Sequence, residues 1–214
     1  MINKLLDKLV DKTLSKEELF KKVKNNFDLI PEIVNAMTSS KAAIRYGCGK
    51  VLMDLSEENP EKLYLHMDFF IKLLDSKYRI ITWQAMAIIA NLTKVDKDNK
   101  FEEIFDKYYS FISNDYMVTV ANIVGHSGKI ALAKPHLIDK ITEELLRIEN
   151  IKTTPHLTPE CKRVITEQAI ISFDKFFNKV KNKEKIISFA EKQLNSSRKT
   201  LKSKAGDFLN KWNN

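Results

Sequence analysis

The sequence has few cysteines and no long apolar run, and each shortage excludes a class of protein. Its two cysteines, Cys48 and Cys161, suggest reduced intracellular thiols rather than a disulfide framework. The longest charge-free apolar stretch, residues 80–92, has 13 residues, whereas a membrane-spanning helix needs about 20. Residues 1–12 alternate Lys and Asp with Leu and lack the apolar core of a secretory signal. We therefore expect a cytoplasmic protein that does not enter the membrane.

Residues that could carry metal or catalytic chemistry are also scarce. The four histidines show no HExxH motif and no pair four residues apart, so we predict no metal site. Residues 125–130, GHSGKI, are similar to a phosphate-binding loop only at first sight. That loop has four residues between its glycines and a Ser or Thr after the Lys. With no nucleophile elbow or deaminase signature either, we predict a noncatalytic protein without a cofactor.

The chain does contain a repeated twelve-residue pattern. It is clearest at residues 81–92, ITWQAMAIIANL, and returns at residues 44–55, 165–176 and 201–212, with a weaker copy near residues 118–130. Positions 1, 5, 8, 9 and 12 are apolar in most copies. On a helix these positions fall within an arc of roughly 80° to 100°, which predicts one buried face per copy.

Helix boundaries place each copy in the second helix of a hairpin. Ser15 with Glu18 forms a capping box, Asn59 with Pro60 begins a helix that we expect to reach about Leu74, and Thr158 with Pro159 begins a long one. Polar turns at residues 37–39, 74–76 and 112–114 are 37 and 38 residues apart. The last unit is enlarged by an insert at residues 150–159.

Ile44, Arg45, Cys48, Val51, Leu52 and Leu55 carry a family resemblance. Their pattern resembles the second helix of HEAT repeats, which are related to armadillo repeats. His126 and Ser127 depart from it, because apolar residues belong at their positions. The resemblance implies an all-α, right-handed α-α superhelix, a HEAT-like solenoid of about five helical hairpins. We expect one solenoid domain, with an N-terminal helical cap at residues 1–26 and the repeat array at residues 27–214.

All five glycines lie in predicted second helices, although glycine destabilises a helix interior by about 1 kcal/mol relative to alanine. We expect that they allow neighbouring helices to approach closely. The alternative is that a ligand approaches the backbone at these positions.

Two surfaces are candidate binding sites. On the second helices, Tyr46 and Trp83 stand opposite the buried arc, and Met53 and Met86 flank them. The resemblance implies that these helices line a concave groove, so we expect the four side chains to contact a protein partner. Trp83 could instead fill the space between two helices.

The second surface is basic. The net charge is +8, and residues 173–214 contribute +7 of it, whereas residues 1–26 contribute +3 and the middle of the chain is slightly acidic. We expect Arg198, Lys199, Lys202 and Lys204 to form a contact patch for an anionic partner. These lysines could equally be a solubilising end of the last repeat.

These features favour a binding scaffold whose concave helical surface binds a protein or a peptide. The alternative is a nucleic-acid-binding HEAT-like protein that uses the basic end and the groove aromatics, for example one similar to the alkylpurine DNA glycosylases built on HEAT-like repeats. A salt-dependent shift on DNA distinguishes the two functions.

Overall fold

The computed structural model describes residues 2–212 and the side chains of residues 4–212. Every regular element in this range is helical, which confirms the predicted all-α class. The α-helices are α1 (Ile2–Val10), α2 (Lys16–Asn25), α3 (Ile30–Ala36), α4 (Ala42–Glu58), α5 (Pro60–Leu63), α6 (Met67–Lys72), α7 (Arg79–Leu92), α8 (Lys100–Glu103), α9 (Phe105–Ser110), α10 (Met117–Ala133), α11 (Ile138–Leu146), α12 (Pro159–Phe176), α13 (Glu184–Glu191) and α14 (Lys199–Trp212). Within the described range, none of these helices combines the length and the apolar character needed to cross a membrane.

Five long helices, α4, α7, α10, α12 and α14, carry the repeated pattern. They begin at residues 42, 79, 117, 159 and 199, so that successive starts are 37 to 42 residues apart. Three shorter helices precede α4, and one or two precede each of the others. Both α1 and α2 pack against α4. The predicted repeat is therefore present as five units of short helices followed by a long one. The division into a cap at residues 1–26 and an array at residues 27–214 stays a prediction.

Two of the predicted helix starts have the predicted cap. The Ser15 amide donates to the Glu18 carboxylate at 2.8 Å and the Glu18 amide donates to the Ser15 hydroxyl at 3.1 Å, which together form a capping box. The Cys161 amide donates to the Thr158 hydroxyl at the start of α12. Helix α5 also begins at Pro60, but the Asn59 side chain makes no cap hydrogen bond.

The single helix expected from Asn59 to Leu74 is instead two helices, α5 and α6, joined by a 3₁₀ turn at residues 64–66. At this turn the Tyr64 hydroxyl donates to the Asp96 carboxylate at 2.8 Å and accepts from the Asp98 amide at 3.1 Å. Burial and the neighbouring Asp96 carboxylate raise the pKa of Tyr64, so the hydroxyl keeps its proton. A tertiary contact therefore accompanies the break between α5 and α6. The helix propensities of residues 59–74 alone do not indicate this break.

The chain divides into two compact units, Met1–Glu103 and Ile104–Asn214, and each has its own hydrophobic core. The largest fully buried side chains of the first unit include Leu52, Phe70 and Phe101. The core of the second unit is more aromatic, because Tyr108, Tyr109, Phe173, Phe176, Phe177 and Phe189 are all fully buried in it.

Gly49 and Gly128 lie where two long helices of one unit approach closely. A Cβ atom at Gly49 would lie 2.0 Å from Oε1 of Gln84 on α7. At Gly128 it would lie 3.1 Å from the backbone oxygen of Ser172 on α12. Both distances are too short for an unadjusted methyl group. At Gly128 the neighbour is the backbone of α12, which confirms the helix-approach explanation there, whereas at Gly49 the neighbour is the end of the Gln84 side chain. Gly206 differs, because a Cβ there would meet no neighbour within 4 Å among the residues that the structure describes.

Ser127 explains how α10 tolerates a polar residue at a core position. The side chain is fully buried, and its hydroxyl donates to the Ile123 carbonyl at 2.8 Å. It also accepts a hydrogen bond from the Tyr109 hydroxyl at 3.1 Å. Because both hydrogen bonds form inside the core, burying Ser127 leaves no polar group unsatisfied. A polar residue therefore replaces an apolar one at this position of the pattern without disturbing the helix.

The glycine contacts predict opposite effects for one substitution at two places in the second unit. Gly128→Ala should lower the free energy of unfolding by about 1–3 kcal/mol, because the added methyl group overpacks the contact with α12. Gly206→Ala should raise it by up to about 1 kcal/mol, because alanine favours the helix and meets no neighbour. Urea unfolding followed by circular dichroism measures both changes. Equal stabilisation by the two substitutions would contradict the close-approach account.

Candidate binding surface

The outward side of α4 carries the first part of the predicted surface. Tyr46 and Met53 are half-buried there, and the Lys50 ammonium pairs with the Asp54 carboxylate at 2.5 Å. Both partners of this ion pair are about two-fifths exposed, at 43% and 39% of their side-chain surface. The helix thus presents an aromatic ring, a thioether and a pair of opposite charges on one side.

Helix α7 contributes less to this surface than the sequence predicts. Trp83 is half-buried, at the repeat position that Tyr46 occupies on α4. Met86 is fully buried, so its expected role as a groove residue is wrong. The reason is that 11 of the 14 residues of α7 are buried, including Ala87 and Ala90, so its covered arc is much wider than the apolar pattern indicates.

The guanidinium group of Arg45 fixes Tyr46 in place. Its carbon Cζ lies 3.7 Å from the centroid of the Tyr78 ring and 4.6 Å from that of the Tyr46 ring. Nitrogen Nη1 donates to the backbone carbonyls of Ser39, at 2.5 Å, and Ser40, at 3.1 Å. Nitrogen Nη2 donates to the Tyr46 hydroxyl at 3.3 Å. One buried cation therefore holds two rings and the turn before α4 together.

Gln84 fixes the backbone beneath Tyr46. Its Nε2 donates to the Tyr46 carbonyl at 3.1 Å, and its Oε1 lies against Gly49. A similar pairing occurs in the second unit, where a Cβ at Gly125 would lie 3.4 Å from Oε1 of Gln168. The sequence pattern did not indicate a role for Gln84 or Tyr78. A glycine on one long helix followed by a glutamine on the next was the available signal.

Arg198 does not behave as a free member of the predicted basic patch. Its guanidinium donates to the Glu167 carboxylate at 2.7 Å and to the Glu160 carboxylate at 2.6 Å. The Thr200 hydroxyl also donates to Glu167, at 2.6 Å. Two carboxylates therefore neutralise Arg198, and the residue attaches the beginning of α14 to α12. This corrects its expected role as a contact for an outside partner.

The three lysines of the patch remain exposed. Lys199, Lys202 and Lys204 lie on α14, and none of them forms an ion pair with a residue that the structure describes. Lys204 stands close enough to Glu167 and Asp174 to lower the pKa of both carboxyls. A contact patch of Lys199, Lys202 and Lys204 stays a prediction.

The thiols differ in their surroundings. Cys48 is fully buried, and burial raises its pKa to about 12, so this thiol does not ionise at neutral pH. Cys161 is partly exposed in the first turn of α12, and both cysteines are free. In residues 2–212 no group of three or more His, Cys, Asp or Glu side chains is arranged to hold a metal ion.

Comparison with known proteins supports the fold and gives no functional assignment. No protein-family model matches the chain, and no curated protein matches it. A designed armadillo repeat protein is similar in structure, with a TM-score of 0.61 and 16% identity over 92% of this chain and 86% of the other. An engineered protein aligns with a TM-score of 0.53 and 14% identity over 89% of this chain and 83% of the other. The chain therefore has an armadillo/HEAT-like helical-repeat fold.

The contact between Glu167 and Arg198 predicts a loss of stability in acid. Burial raises the pKa of Glu167, but the hydrogen bonds from Thr200 and Arg198 outweigh burial and hold it below its ordinary value of 4.5. Because the folded-state pKa is lowered, the stabilisation is fully present above pH 4.5 and is lost as the pH falls through the folded value. Urea unfolding between neutral and acidic pH measures this loss. Glu167→Gln should show a smaller loss, and an unchanged pH profile in that variant would refute the assignment.

Proposed function

We propose that this helical-repeat protein is a noncatalytic binding scaffold, and that a peptide or an extended protein segment binds across α4 and the beginning of α7. The observation that carries the proposal is the pair of half-buried aromatic side chains, Tyr46 and Trp83, at equivalent positions on two long helices that pack directly against each other. Partly exposed aromatic residues and methionines are the residue types that dominate protein interfaces. Met53 on α4 adds a flexible apolar contact beside them.

Rigidity beneath this surface favours binding. Tyr46 is held through its ring by Arg45 and through its carbonyl by Gln84, so its side chain loses little freedom when a partner arrives. The Lys50 and Asp54 pair on the same side of α4 supplies a donor and an acceptor for a peptide backbone. The surface thus combines fixed apolar contacts with polar groups that can orient a bound chain.

The structural relatives are consistent with this proposal at the level of the scaffold. Both are engineered proteins, and neither name specifies a partner that could be transferred to this chain. The class of partner proposed here therefore rests on the side chains of α4 and α7.

Selection of binding peptides tests the proposal. A random-peptide phage library is selected on the wild-type protein, and peptides that also bind the bare support are removed. The remaining peptides are synthesised, and their dissociation constants for the wild-type protein and for the Trp83→Ala variant are measured by fluorescence anisotropy. Failure to obtain any peptide that distinguishes the two proteins would contradict the proposed site.

Trp83→Ala should weaken binding of a selected peptide at least about tenfold, because truncating a central aromatic contact typically costs about 2 kcal/mol or more. The same substitution should leave the free energy of unfolding near its wild-type value. A loss of about 3–5 kcal/mol in stability, with unchanged peptide affinity, would instead show that Trp83 is a core residue. Both quantities come from the same purified variant.

Two methionines provide a matched control. Met53 is half-buried on α4, whereas Met86 is fully buried on α7. We expect Met53→Ala to weaken peptide binding with little effect on unfolding. Met86→Ala should lower the free energy of unfolding by about 2–5 kcal/mol, as truncations in a core do. Loss of stability in Met53→Ala, together with weaker peptide binding but normal stability in Met86→Ala, would contradict the described surface.

A further inference from the structure

Helix α14 has a charged face that no described part of the chain covers. The helix buries Leu201, Ala205, Phe208 and Leu209 along one stripe. Lys199, Lys202 and Gly206 lie within about 60° of one another around the helix, on the side of that stripe next to Leu209. We call these three residues the lysine face. Both lysines are exposed, and the described ion pairs in this region are made instead by Arg198, just before α14, and by Lys211 near its end.

The corresponding position of other long helices contacts the next long helix of the same unit. Gly49 is the sixth residue of the repeated pattern on α4, and there Oε1 of Gln84 from α7 lies against it. On α10 the sixth position is Val124, whose carbonyl accepts a hydrogen bond from the Ser172 hydroxyl of α12 at 2.5 Å. Gly206 is the sixth residue of the pattern on α14, and a Cβ atom there would meet no described neighbour within 4 Å. The lysine face therefore has the geometry of a helix-packing surface without a helix on it.

We propose that the lysine face binds an acidic helix of a partner protein. Gly206 would allow the partner backbone to approach as closely as α12 approaches α10 at Gly128, and Lys199 and Lys202 would pair with carboxylates beside that contact. Glycine in a helix interior is less stable than alanine, and no contact with a described residue offsets this at Gly206. A docked helix supplies such a contact. This surface is separate from the peptide site on α4 and α7.

The charges favour this occupant over two others. A second copy of the chain that docked through its N-terminal helices would bring residues 1–26, with a net charge of +3, to residues 173–214, with a net charge of +7. Like charges oppose that association. For nucleic acid, the group best suited to bidentate phosphate contacts is a guanidinium, and the one in this region, Arg198, is held by Glu160 and Glu167. The remaining lysines together with a glycine fit a helix that carries carboxylates.

The test uses the full chain and a designed probe. The probe is a fluorescein-labelled, side-chain-stapled helical peptide of about 18 residues, in which a stripe of alanines is flanked by glutamates. A peptide of the same composition in scrambled order, without the helical stripe, controls for charge alone. Binding is measured by anisotropy, and duplex DNA and single-stranded DNA of similar charge are measured in parallel.

Two variants separate shape from charge. Gly206→Leu fills the contact and leaves the net charge unchanged, and it should weaken probe binding at least about tenfold while the melting temperature stays the same or rises, because leucine favours a helix. Lys199→Glu with Lys202→Glu should weaken binding further and flatten its salt dependence. Lys16→Glu with Lys21→Glu, an equal charge reversal at exposed positions of α2, should change binding little.

Tighter binding of the striped peptide than of the scrambled peptide, lost in both α14 variants, would support the proposal. Three results would overturn it. The first is no detectable binding of the striped peptide at low salt. The second is that Gly206→Leu binds the probe as tightly as the wild-type protein does, which would mean that the probe binds through nonspecific charge alone. The third is tighter binding of DNA than of the peptide, which would assign the lysine face to nucleic acid.

Discussion

Close approach of successive long helices is the constraint on which each unit of this structure depends. At Gly128 the backbone of α12 comes so near to α10 that a methyl group would lie 3.1 Å from a carbonyl oxygen. The Ser172 hydroxyl then reaches the Val124 carbonyl at 2.5 Å, which is possible only at this spacing. Close spacing lets dispersion contacts and one buried hydrogen bond act at the same place. The contact also sets which side of each long helix faces outward.

Polar side chains between the long helices then fix their register. The Gln84 amide donates to the Tyr46 carbonyl at 3.1 Å, and the Asn91 amide donates to the Ser56 hydroxyl at 2.9 Å. Both link α7 to α4, at opposite ends of their contact. A buried hydrogen bond specifies a position along the helix more sharply than apolar contact does, because a shift leaves its groups unsatisfied. The same contacts fix the candidate peptide surface, since Tyr46 is one of the residues that they hold in place.

The sequence predicted the features that depend on local spacing. The repeated apolar pattern, the capping box at Ser15 and the helix start at Pro159 are confirmed, because each is decided by residues within one or two turns of one another. The glycine at Gly128 was explained correctly for the same reason, since a helix interior has few other uses for glycine. The fold class followed from these features together.

Errors arose where distant residues decide the outcome. Met86 is buried because α7 is covered over most of its circumference, which no pattern within α7 encodes. Arg198 is neutralised by two glutamates that lie more than 30 positions earlier, at residues 160 and 167. The break between α5 and α6 likewise accompanies a contact between Tyr64 and Asp96. The sequence therefore predicted only the positions of Tyr46, Met53 and Trp83 on the outward sides of their helices. The supporting roles of Tyr78 and Gln84 became apparent only from the structure.

A double-mutant cycle on Gly49 and Gln84 tests the central claim, that close helix approach fixes the first unit and its surface. Gly49→Ala alone should destabilise the protein, because the new methyl group would lie 2.0 Å from Oε1 of Gln84. In a Gln84→Ala background the same substitution should cost at least about 1 kcal/mol less in urea unfolding, because the clashing atom has been removed. If the two substitutions are additive, the helices are not held by this contact and the account is wrong.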